Sequence, residues 1–151
     1  MHIEKISEKT IEDVFNFLNA SKKIVQSSQL TLSSEFKNLL KLFATSKSKK
    51  SNDSSTYLAR NQDGAIKGVI VLKDNGEILL LALEESQTVN VGREFLVALK
   101  QMFPNEVINM LWANVKDDDI NVLNGIGFKT HSFSFEKDAN GSYDNYYFQV
   151  R

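Results

Sequence analysis

Not one of the 151 residues is cysteine, which excludes disulfides, thiolate metal sites and a cysteine nucleophile. The two histidines, His2 and His131, stand too far apart in the sequence to suggest a structural metal site. Charge of neither sign dominates: 18 Lys and Arg against 19 Asp and Glu give a formal net charge of -1, with the two kinds interspersed. Such a field gives no reason to expect a nucleic-acid partner. Long apolar runs are missing too. No stretch is long enough to cross a bilayer, and the charged start MHIEKISEKT lacks the apolar region of a secretory signal. The expectation is a soluble, cytoplasmic protein with no membrane partner. With no repeat or linker, residues 1–151 have room for a single domain with one core, burying about 70% of the surface an unfolded chain would expose.

What the chain does have is centred on Glu77 to Phe103, EILLLALEESQTVNVGREFLVALKQMF. Ile78 to Leu83 is an apolar run of strand length, which predicts a strand buried on both faces in the middle of a sheet. The apolar positions then change spacing to Val91, Phe95, Leu96, Leu99, Met102 and Phe103, one face of a helix that Pro104, the single proline, stops. Between the two, Glu84 to Arg93 reads as a polar turn presenting backbone N–H groups at a helix N-terminus, with Gly92 letting a ligand come close to the main chain. Such a terminus attracts phosphate, because its first N–H groups lack intrahelical partners and the helix dipole is positive there.

The flanks supply more sheet and more helix. Met1 to Ser7 reads as a short strand, and Thr10, with Asp13 three positions on, as the cap of a helix whose apolar stripe is Ile11, Val14, Phe15 and Leu18. Ile24 to Thr31 is ambiguous. Ser33 or Ser34 caps a second helix with Phe36, Leu39, Leu40, Leu42 and Phe43 as its buried face. Ser46 to Ser55, with Lys47, Lys49 and Lys50, reads as a solvated loop or, alternatively, as a basic patch for an acidic substrate or cofactor phosphates. From Thr56 a three-strand antiparallel meander runs through Tyr57 to Ala59, Ile66 to Leu72 and Ile78 to Leu83. Its turns are at Asp63-Gly64 and Asn75-Gly76, since such turns require positive φ. Val107 to Val115 is a further strand, parallel to Ile78 to Leu83 if the helix between them is a crossover. A short helix beginning at Lys116 to Asp119, with Ile120, Val122, Leu123 and Ile126 apolar, ends at Gly125 or Gly127. Strands Phe128 to Phe135 and Tyr146 to Val150 then close the chain.

Two segments carry a family resemblance. Gln87-x-x-Asn90-x-Gly92 resembles the Q/R-x-x-G-x-G/A phosphate loop of the GCN5-related N-acetyltransferase (GNAT) superfamily, and it sits between a central strand and a long helix, as that loop does. Asn90 stands where glycine is usual; asparagine is the non-glycine residue that best tolerates a left-handed backbone. Lys116 to Phe128 resembles the family's N-x-x-A-x-x-x-Y-x-x-x-G-F segment, matching at Gly127-Phe128 and in the apolar Ile120 and Ile126. Lys116 replaces the asparagine, and Leu123 replaces the tyrosine that often protonates the departing thiolate. The order of elements is similar across almost the whole chain. The fold class this implies is α/β (α+β), a GNAT-like acyl-CoA N-acyltransferase fold. It has a mixed, mostly antiparallel central sheet of about six to seven strands flanked by about four helices.

The resemblance implies an N-acetyltransferase that moves an acetyl group from acetyl-CoA, its cosubstrate, to an amine of a small molecule or protein, without a covalent enzyme intermediate. It places the cofactor in a splay between Ile78 to Leu83 and Val107 to Val115, with the pantetheine arm paired to the backbone near Ala82, Leu83 and Glu84. The pyrophosphate takes N–H groups from Asn90 through Val91 and Gly92 to Arg93, next to Val89. Gln87 and Arg93 reach phosphate oxygens, although Arg93 reads equally as a solvated helix residue. Attack requires a neutral amine and hence a general base. Glu84 and Glu85 are the candidates, one of them facing the cleft because successive strand side chains point opposite ways; ordinary strand-end charges are the alternative. Tyr143, Tyr146 and Tyr147 are candidates for the acid that Leu123 cannot be. His131, in alternation with Phe133 and Phe135, reads as a sheet residue, and Trp112 and Tyr57 as core or pocket lining. Two other readings stay open. One is an acyl-CoA-binding or regulatory module with weakened catalysis, which Leu123 and Asn90 favour; the other is a structural or interaction domain that binds no cofactor. The acceptor is not legible, and homodimers are frequent in the family. Gly92→Glu is expected to abolish CoA binding by blocking close backbone approach and adding negative charge.

Overall fold

A computed structural model describes residues 1–20, 23–26, 54–73, 76–113, 117–131 and 143–148. In chain order its elements are β1 (His2–Lys5), α1 (Ile11–Asn19), β2 (Lys23–Gln26), β3 (Ser54–Arg60), β4 (Ile66–Lys73) and β5 (Ile78–Leu83). There follow a 3-10 turn (Glu85–Gln87), α2 (Thr88–Met102), β6 (Ile108–Ala113), α3 (Asp117–Ile126), β7 (Phe128–His131) and β8 (Tyr143–Phe148). The strands form a five-stranded sheet in the order β1-β3-β4-β5-β2 and a three-stranded sheet in the order β6-β8-β7. All pairings within both sheets are antiparallel. The second helix expected around Phe36 to Phe43, the lysines 47, 49 and 50, and Phe133 and Phe135 lie outside the described residues.

The meander β3-β4-β5 forms where the turn residues predict it. Gly64 and Gly76 both adopt positive φ, 84° and 89°, and each donates its N–H to a carbonyl three residues back, on Asn61 and Lys73. β5 keeps the expected bounds, and its apolar run is explained by cover on both faces. Ile78, Leu81 and Leu83 join the core under α2 with Phe95, Leu96 and Leu99. Leu80 and Ala82 join the core under α1 with Val14, Phe17 and Leu18. Strict alternation fails at Leu79. There the register with β4 shifts between Val71 and Leu72, a bulge that turns Leu79 toward the α1 side next to Leu80.

Three expectations change at the helices. Thr10 precedes α1, but its side chain makes no capping bond into the helix; Ser7 N–H donates to its Oγ1 at 2.9 Å instead. Met102 is 48% exposed, because α2 ends there. Phe103, just beyond, turns in against Tyr57, with ring centroids 5.9 Å apart in a T-shaped contact. α2 starts at Thr88 rather than Val91, so Asn90, Gly92 and Arg93 are helical residues and Asn90 needs no left-handed backbone.

Candidate active site at the C-terminal end of β5

β5 and β6 are the parallel pair that the crossover predicts, yet among the described residues they pair at one bridge, Glu77 to Asn109. Asn109 N–H donates to Gly76 O at 2.9 Å. Gly76 is required here: a Cβ would lie 2.2 Å from Val107 O, and its φ is left-handed. Past this bridge β5 continues with β4 and β2 while β6 continues with β8, so the two diverge toward Leu83 and Ala113. Adjacent strands that part at their C-terminal ends leave the crevice where open sheets hold ligands. Tyr143 pairs with Ala113, which brings its backbone to that same end; His131 pairs with Asn145 in the second sheet.

Glu84 ends β5 in extended backbone, φ -62° and ψ 130°. Its N–H donates to Lys67 O at 2.9 Å, and Lys67 Nζ stands 2.9 Å from its Oε2, a charge contact more than an aligned hydrogen bond. Both side chains are about three-quarters buried, at 24% and 23% exposure, so the pair fixes the carboxylate at the strand end. Glu85, the next residue, is exposed in the 3-10 turn. Lys67 went unnoticed in the sequence, since only the β4-β5 register brings it beside Glu84.

The turn into α2 is pinned by Thr88. Its hydroxyl lies 2.9 Å from both Glu84 O and Glu85 O, either of which can accept its proton. Gln87 holds the N-cap position with no side-chain capping bond. In an α-helix beginning at Thr88 the ladder already uses the N–H groups of Val91, Gly92 and Arg93, while those of Val89 and Asn90 have no intrahelical acceptor. The donors ahead of the α-helical ladder therefore sit earlier than the Asn90 to Arg93 set read from the sequence.

Gly92 also has a different reason to be glycine. It is buried, and a Cβ there would lie 2.6 Å from Ile126 Cδ1 and 3.0 Å from Leu83 Cδ1. The missing side chain lets α2 settle on α3 and on the end of β5, and no ligand is needed to explain it. Arg93 reinforces the same seam, donating from Nη2 to Gly125 O at 2.7 Å.

No family model matches the chain, and no curated protein matches it. Solved structures do. A mutant of the spermidine N-acetyltransferase SpeG from Vibrio cholerae is similar over 98% of this chain and 94% of its own, at 13% identity with a TM-score of 0.63. The IAA acetyltransferase from Bacillus cereus is similar over 99% of each chain, at 14% identity with a TM-score of 0.55. The fold is that of the GNAT acetyltransferases.

The GNAT fold gathers Ala82, Leu83, Glu84, Glu85, Gln87, Val89 and Asn90 on one strand-turn-helix unit at the mouth of the wedge. Leu123, which the sequence resemblance aligns with a tyrosine, is fully buried in the core beneath α2 and brings no hydroxyl there. One feature of the wedge has no counterpart in the sequence reading: β2 pairs with β5 from Leu80 to Leu83, on the edge facing β6. A surface depression of about 480 Å³ lies on α2 beside Met1, Arg93, Val97 and Gln101, and neither Glu84, Glu85 nor Gln87 lines it.

Proposed function

We propose that the protein is an acyl-CoA-dependent N-acyltransferase, with acetyl-CoA as donor and an amine as acceptor. The observation that carries this reading is the single bridge between β5 and β6, beyond which the strands part beside the start of α2, within a fold shared with N-acetyltransferases. The N–H groups of Val89 and Asn90, with the exposed Gln87 beside them, are the phosphate donors in this reading. Glu84 is the general base: of the two carboxylates it is the one held at the strand end, and it would accept a proton from the attacking amine, directly or through water. The amine nitrogen then bonds to the thioester carbonyl carbon, the C–S bond breaks, and the thiolate leaves with one proton to collect. Tyr143 is the proposed source of that proton.

A second reading, a binding or regulatory module with weakened chemistry, is favoured by Leu123, which leaves the usual acid position filled with hydrocarbon. Thiol release separates the two. Because the chain has no cysteine, a thiol reagent reports only the CoA set free from acetyl-CoA. The enzyme reading expects amine-dependent thiol release that Glu84→Gln lowers by about 10²–10⁴-fold while Glu85→Gln leaves it nearly unchanged. Saturable CoA binding with no release across a panel of amines would leave the module reading in its place.

A further inference from the structure

A β-strand offers two edges, and the use of the second edge of β5 is unusual. β4 takes the first edge along the full strand. On the second, β6 makes only the Glu77 to Asn109 bridge, and β2 then takes over antiparallel, with Gln26 opposite Leu80, Val25 opposite Leu81, Ile24 opposite Ala82 and Lys23 opposite Leu83. β2 therefore lies in the mouth of the wedge, bonded to the same backbone that the acyl-CoA reading assigns to the pantetheine arm. Both cannot pair with Ala82 and Leu83 at once.

We infer that β2 is an internal strap that competes with acyl-CoA for the open edge of β5, so that cofactor binding requires β2 to come away. The inference rests on the acyl-CoA reading above and concerns the regulation of that site. Three features suit β2 to leaving. It is only four residues long, it is an edge strand of its sheet, and its sequence Lys-Ile-Val-Gln has just two apolar residues between polar ends. It pairs with β5 through backbone hydrogen bonds, which are the bonds an extended arm with amide groups can replace. While β2 is in place the protein is not competent to bind, so the apparent dissociation constant exceeds the intrinsic one by the inverse of the open fraction. An open state populated at about a tenth or less makes that factor about tenfold or more.

The test joins two measurements on the full chain, with CoA and acetyl-CoA as probes. The first compares affinity in wild type and in the double variant Ile24→Pro, Val25→Pro. Adjacent prolines remove the donor facing β5 whichever of the two residues supplies it. The second follows hydrogen exchange of wild type with and without saturating CoA, and needs no variant to fold. Binding that is about tenfold or more tighter in the variant than in wild type supports the strap, as does faster exchange at 23–26 on CoA addition while 80–83 stays protected. Saturable binding to wild type with unchanged exchange at 23–26 and no gain in the variant overturns the strap and leaves the acyl-CoA reading standing. Absence of binding to both proteins overturns that reading, and the strap with it.

Discussion

The two edges of β5 are held by different means. On the β4 edge the partner is the previous strand, and a hairpin closed through Gly76 fixes the pairs from Leu72 with Ile78 to Gly68 with Leu83. On the other edge the partners come from distant segments: β2 from before the meander, and β6 from beyond α2. Local turn chemistry specifies the first edge almost without help from the rest of the fold. The second is a meeting of two short contacts around a wedge, beside the carboxylate of Glu84 that Lys67 holds and the start of α2. In the proposed reading the β4 edge provides a scaffold and the other edge the site.

Substitutions can break this contrast at several strengths. The largest loss of stability is expected from Phe95→Ala, because Phe95 is fully buried over Gly68 and the β4-β5 pair; it should cost about 3–5 kcal/mol in denaturant unfolding. Gly92→Val pushes a side chain into Ile126 and Leu83 and should cost about 1–3 kcal/mol. Loss of stability in that variant bears on the packing of α2, so Gly92→Glu cannot serve as a clean probe of phosphate binding. Gly76→Ala strikes the bridged junction of β5 with β6. Forcing left-handed backbone costs about 1–2 kcal/mol, and contact with Val107 O adds to it. Thr56→Val should move stability the other way. The Thr56 hydroxyl is fully buried with no hydrogen-bond partner among the described residues, so an isosteric apolar side chain should raise stability by about 1 kcal/mol, read as a higher midpoint with unchanged denaturant slope.

The same contrast explains what was legible in the sequence. Asp63-Gly64 and Asn75-Gly76 announce their hairpins, and the change from the Ile78 to Leu83 run to the spacing of Phe95, Leu96 and Leu99 announces β5 and α2. The start of α2 was displaced because Thr88, Val89 and Asn90 are weak helix formers. They are helical here through a 3-10 turn and the Thr88 hydroxyl, neither of which leaves a periodic signal. β2 gave only a β-branched pair, Ile24-Val25, and its partner lies far along the chain, so no local pattern could assign it. In the sequence Gly92 reads as an approach for ligand, whereas its neighbours Leu83 and Ile126 are contributed by β5 and α3, a packing requirement visible only in three dimensions.

The central claim is that the start of α2 binds the phosphates of an acyl-CoA, and calorimetric titration of CoA into wild type and Asn90→Glu tests it most directly. Asn90 is exposed in the first turn of α2, so a carboxylate there should favour the helix by about 0.3–1 kcal/mol while repelling phosphate. The account predicts saturable binding to wild type, and binding weakened by about tenfold or more in a variant that melts no lower. Equal affinity in the two proteins would contradict the placement of the phosphates, and no heat from either at millimolar CoA would contradict the account as a whole.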